Sequence, residues 1–140
     1  MILVDSDVLV ALVNRGHPRH RSCVATLREL RQPLATVWPV LGDALTSTTW
    51  SPAAQAAILE MVARGALRLL PLGQEDATRL QGLLTRTGRR RAAPSLAHAA
   101  LAHVASRDGV GTAFTLAPAA LRSAGRKALR TIPRALRRRA

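Results

Sequence analysis

The side chains of this sequence best suited to chemistry lie in segments far apart along the chain. Asp5 closes the short apolar run Ile2-Leu3-Val4 and is followed by Ser6 and Asp7. Asp43 follows Pro39-Val40-Leu41-Gly42, His98 follows Ser95-Leu96-Ala97, and Thr115 precedes Leu116-Ala117. Carboxylates brought together from such segments would gather a hard divalent ion. An imidazole beside them would add proton transfer or a softer ligand. A buried strand has no structural need for an acid at its very end, and Ser6 or Asp7 suffices to cap the next helix. Asp5 therefore reads as a functional residue. His98 sits on an Ala-rich helix where a lone histidine is by default structural. No second base stands out: His103 faces another side of that helix, and His17 and His20 lie in a different segment.

The elements that would position these residues follow from periodicity. Residues 2–4 read as a buried parallel strand, and Val8, Leu9, Leu12 and Val13 give the next helix an apolar face. Residues 14–18 are turn chemistry and 19–31 a second helix, with Cys23, Leu27 and Leu30 on one face. A second strand spans 34–37, and a third helix runs from Trp38-Pro39 through Leu45. Ser51-Pro52 caps a fourth helix that Gly65 closes. Residues 66–70 form a third strand. Gln74-Glu75-Asp76 place acids in the first turn of a fifth helix. Pro94-Ser95 start a sixth helix to about Asp108, with Gly109 ending it, and Val110–Leu116 form the last strand. The order β-α-α-β-α-α-β-α-α-β predicts an α/β fold with a central, mostly parallel sheet covered on both faces. In such sheets ligands bind beyond the carboxyl ends of the strands, which is where Asp5, Asp43, His98 and Ala117 are expected to meet.

Composition narrows the partners. The chain has 140 residues, enough for one domain with a real core, and a single cysteine that excludes an intrachain disulfide. Lys and Arg number 21 against 8 acids, a net charge of +13, and most of the cations are arginines, which fork onto phosphates. That balance points to polyanions, RNA above all. Aromatic side chains are scarce, which argues against sheet surfaces that stack bases. Trp38 and Trp50 are expected to pack in the core or on a dimer face. The start of the chain lacks a signal-peptide pattern and no apolar run reaches membrane-spanning length, so a soluble cytoplasmic protein is expected.

The opening stretch through Leu12, His17-Pro18-Arg19-His20, Pro39 to Leu45, Ser95 to Leu101 and Ala113 to Ala117 together resemble the PIN domain family, specifically VapC-type toxins of toxin–antitoxin pairs. The likeness covers essentially the whole chain, with residues 1–133 as the PIN-like domain and 134–140 as a basic C-terminal tail. It implies a three-layer PIN-like fold and a metal-dependent endoribonuclease using Mg²⁺ or Mn²⁺. It also implies an RNA substrate, a homodimer and a small antitoxin that reaches an arginine into the acidic pocket. Position by position, the family's first acid falls on Asp5 and its second on Asp43, one methylene shorter than the usual Glu. The third falls on His98 and the fourth on Ala117, which cannot coordinate a metal. Asp5, Asp43 and His98 are thus the candidate catalytic residues, with Asp5 and Asp43 as metal ligands if the protein is active and no metal otherwise. Ser6, Asp7 and Thr115 adjoin the site. Arg89, Arg90 and Arg91 are candidate RNA contacts, with the arginines from 134 to 139 beside them. Two readings follow: a ribonuclease of weakened or altered activity, or an inactive PIN domain serving as an RNA-binding or protein-partner module. Metal-free cleavage by His98 is a third reading, less favoured because no second base is evident.

Overall fold

The structure, a computed structural model, describes residues 1–86, 93–125 and 129–133. Its frame is five short parallel strands: β1 (Ile2–Val4), β2 (Leu34–Thr36), β3 (Leu67–Leu69), β4 (Thr112–Phe114) and β5 (Arg130–Ile132), in the spatial order β3-β2-β1-β4-β5. β1 lies in the middle, with Leu3 registered against Ala35 on one side and Ala113 on the other. Ile2, Leu3 and Val4 point alternately to opposite faces, yet all three are buried. Both faces of the sheet are therefore covered, as an all-parallel sheet requires.

Seven helices are described: α1 (Ser6–Val13), α2 (His20–Glu29), α3 (Trp38–Thr46), α4 (Pro52–Ala63), α5 (Ala77–Thr85), α6 (Leu96–Asp108) and α7 (Pro118–Ser123). Their ends carry the expected capping chemistry. The Ser51 and Ser95 hydroxyls accept from the N–H groups of Ala54 and His98, three residues on. Gly109 ends α6 with φ +67°, a left-handed turn that a side chain would strain. The core joins Val8, Leu9, Leu41, Ile58, Leu101 and Phe114, all fully buried. Each such side chain contributes about 1.5–3 kcal/mol of transfer free energy.

The fold departs from the sequence reading in several places. The Arg-rich stretch after Leu121 carries β5, whose Thr131 and Ile132 register with Ala113 and Phe114. Only Ile132 of Arg130-Thr131-Ile132 is apolar, so a strand that an arginine opens is concealed in the charge pattern. Gln74–Asp76 form a separate 3₁₀ turn ahead of α5. Trp38 and Trp50 lie outside the core, 58% and 61% exposed in the chain, which removes the core half of the expectation for them and leaves the dimer face. The helix after β1 is capped by Asp5 itself, whose carboxylate accepts from the Ser6 N–H at 2.8 Å. Neither Ser6 nor Asp7 does that work. Among the described residues no helix is long and apolar enough to cross a membrane.

Candidate functional site

The chain leaves β1 for β2 and β3 on one side of the sheet, then returns to place β4 and β5 on the other. The strand order thus reverses between β1 and β4, and a crevice opens beyond their carboxyl ends. Asp5 and Thr115 are the first residues past those two strands. The ladder continues through them, since the Asp5 N–H donates to the Phe114 carbonyl at 2.9 Å and the Thr115 N–H to that of Ile132 at 3.0 Å. α6 runs toward β4's start, so its own first turn, with His98, stands at the same edge.

There the side chains meet. His98 Nε2–H donates to Asp5 Oδ2 at 2.9 Å, and Thr115 Oγ1–H donates to the same oxygen at 2.7 Å. Thr115 Oγ1 in turn accepts from the Ala117 N–H at 3.0 Å. The Asp5 side chain is 1% exposed and that of His98 18%. Burial by itself raises the Asp5 carboxyl, but the bond and charge of His98, the Thr115 hydroxyl and the Ser6 amide outweigh it and hold the group below its ordinary value. The Asp5 hydrogen bond raises His98, against burial, and the charges of Asp5, Asp7 and Asp43 raise it further. With His98 protonated the pair is an ion pair, and the Thr115 hydroxyl is its third member.

Asp7 is the second acid of the pocket. Its Oδ2 accepts from the Leu116 N–H at 3.1 Å, while Oδ1 is buried with no partner among the described residues. Burial, then the neighbouring charge of Asp5, push its carboxyl up to about 6. Asp43 is exposed on α3, near enough for its charge to act on His98. Among the described residues its carboxylate has no ion-pair partner within 4.0 Å. Ala117 is the residue before α7, and its side chain is a methyl group that carries no polar atom. Asp5, His98, Thr115 and Ala117 are therefore in contact, with Ser6 and Asp7 beside them and Asp43 at the rim. Arg89, Arg90, Arg91 and the 134–140 tail lie outside the described residues.

A second polar cluster escaped the sequence reading. Asp76 Oδ1 accepts from His103 Nε2 at 2.6 Å and its Oδ2 from the Gly73 N–H at 2.8 Å, while Arg107 Nη1 lies 3.1 Å from both oxygens. The His103 bond, then the Gly73 amide, lower the Asp76 carboxyl to about 2. His103 and Arg107 are four residues apart on one face of α6, a spacing that flags a shared acidic partner. The cluster pins the 3₁₀ turn to α6, away from the Asp5 pocket.

Among solved structures the same fold is found in VapC20 of Mycobacterium tuberculosis, a toxin that cleaves the sarcin–ricin loop. The match has a TM-score of 0.72 at 21% identity and covers 81% of this chain and 87% of that one. The chain has a VapC-like PIN fold. No family model and no curated protein matches the sequence. Within this VapC-like frame the crevice at the strand reversal is the place for a site, and it holds Asp5 and His98.

Proposed function

We propose that this VapC-like PIN domain binds RNA through a pocket balanced by its own imidazolium, and that metal-dependent cleavage is weak or absent. The 2.9 Å Asp5–His98 pair carries this reading. A hard divalent ion takes about six oxygen ligands, several of them carboxylates. Here both Asp5 oxygens already accept protein hydrogen bonds, His98 stands among them with a raised proton affinity, and Ala117 offers nothing. Among the described residues no three His, Cys, Asp or Glu side chains are grouped to hold a metal ion. The donor set does not fit Mg²⁺, and the loss of one catalytic group commonly costs orders of magnitude in rate.

RNA is the partner that the charge favours. A net charge of +13 attracts phosphates and releases their counterions. A pocket whose carboxylate is neutralised by His98 repels phosphate less than a cluster of free acids would. VapC20, of the same fold, is described as cleaving the sarcin–ricin loop. Two observations favour retained metal chemistry as the second reading: among the described residues Asp43 has no ion-pair partner and Asp7 Oδ1 no hydrogen-bond partner. An antitoxin that inserts an arginine would have to compete with His98 for Asp5, so that mode of inhibition is disfavoured.

The test is a gel shift with single-stranded RNA in EDTA, repeated across salt concentrations, alongside a cleavage assay with Mg²⁺ and Mn²⁺. Retention in EDTA that falls steeply with salt, with no metal-dependent products, supports the proposal. Metal-dependent cutting abolished by Asp5→Ala would favour the second reading.

A further inference from the structure

Four large apolar side chains are exposed among the described residues, Trp38, Trp50, Leu59 and Leu96, and two of them open neighbouring helices. Trp38 is the first residue of α3 and Leu96 the first of α6, and they are 58% and 49% exposed. α3 packs against α6, and both helices begin at the carboxyl edge of the sheet. Packed helices run about 8–10 Å apart axis to axis, so the first turns of α3 and α6 are neighbours at that edge. His98 is two residues beyond Leu96 on α6. On the α3 side, Leu3 registers with Ala35, and the Thr36 hydroxyl donates to the Val4 carbonyl at 2.9 Å. Continuing that register puts Val37 beside Asp5 and Trp38 one residue further out.

We infer that Trp38, with Leu96 on the adjoining helix, forms a stacking subsite for an unpaired RNA base at the mouth of the Asp5–His98 pocket. This rests on the RNA-binding reading above. Single-stranded RNA is held by pairing a cationic path for its phosphates with aromatic faces for its bases. The net charge of +13 attracts the phosphates, and an indole is the largest face available in a chain with three aromatic residues in all. Trp50 does not share this placement: it lies beyond the far end of α3, and its indole N–H donates to the Ser47 carbonyl at 3.2 Å.

Trp50→Phe makes Trp38 the sole tryptophan of the full chain and its fluorescence the reporter. Short single-stranded RNA is expected to quench it, and an abasic RNA of equal length to leave it nearly unchanged. Trp38→Ala should weaken RNA binding roughly tenfold, the scale of one stacked base, and Trp38→Phe should restore most of it. RNA binding of undiminished affinity in Trp38→Ala, with unaltered fluorescence in the reporter, overturns the subsite and leaves the RNA reading standing. Absence of RNA binding in the unmodified chain overturns both. Fluorescence that tracks protein concentration, with sedimentation showing a dimer, places the indole in a self-interface and also overturns it.

Discussion

His98 Nε2 lies 2.9 Å from Asp5 Oδ2 and joins residues 93 apart in the chain. Folding must close that distance before either group gains its partner. The bond therefore reports on the whole topology, from β1 to the first turn of α6.

Removing one partner strands the other in the crevice. Loss of one member of a buried pair costs about 3–5 kcal/mol, and the partial exposure of His98 places His98→Ala near the low end. A double-mutant cycle of Asp5→Asn and His98→Gln, read by urea unfolding, should show a coupling of about 1–3 kcal/mol. Additive effects would mean that the pair is not formed.

The same pair has a pH window. His98 is raised from 6.5, so its contribution is complete below that pH and is lost as the pH rises through the raised value. Asp5 is lowered from 3.8, so its contribution is complete above that pH and is lost as the pH falls through the depressed value. The stability difference between the unmodified chain and His98→Gln should be largest between about pH 4 and 6.5 and shrink on either side. A difference that grows in alkali would contradict this.

Asp7 works in the opposite sense. Its folded value of about 6 exceeds the ordinary 3.8, so stability is lost as the pH rises between them. Asp7→Asn keeps an oxygen to accept the Leu116 N–H and removes the buried charge. Discounted for partial solvent screening, the gain should be about 1–2 kcal/mol at pH 7 and vanish below pH 4. Unfolding curves at the two pH values decide it, and a loss at pH 7 would show that the charge is paired.

The sequence announced the meeting of Asp5, His98 and Ala117 because strand periodicity and capping signals order the elements, and parallel topology then dictates which ends converge. It did not announce that Asp5 would cap α1, because three polar residues in a row offer equal local chemistry and only the Leu116 N–H draws Asp7 away. β5 was hidden by its arginine, and the Asp76–His103–Arg107 cluster by the distance between its members. Of the two places the sequence allowed for Trp38, core or dimer face, the structure excludes the core, because the residue opens a helix at the sheet edge and is 58% exposed in the chain.

Rebuilding the acids should rebuild a metal dependence. His98→Asp with Ala117→Asp places carboxylates beside Asp5 with no cation to balance them. The double variant should unfold at a lower temperature than the parent in EDTA and recover with Mn²⁺, whereas the parent should respond little. Equal responses of the two proteins would show that residues 98 and 117 do not govern metal binding.

Electron paramagnetic resonance titration of Mn²⁺ into the full chain at neutral pH measures directly whether His98 has replaced the metal. The expected result is a signal of free Mn²⁺ throughout, with no stoichiometric site at millimolar or lower concentration. One bound Mn²⁺ per chain, lost in Asp5→Asn, would contradict a pocket that carries its own cation.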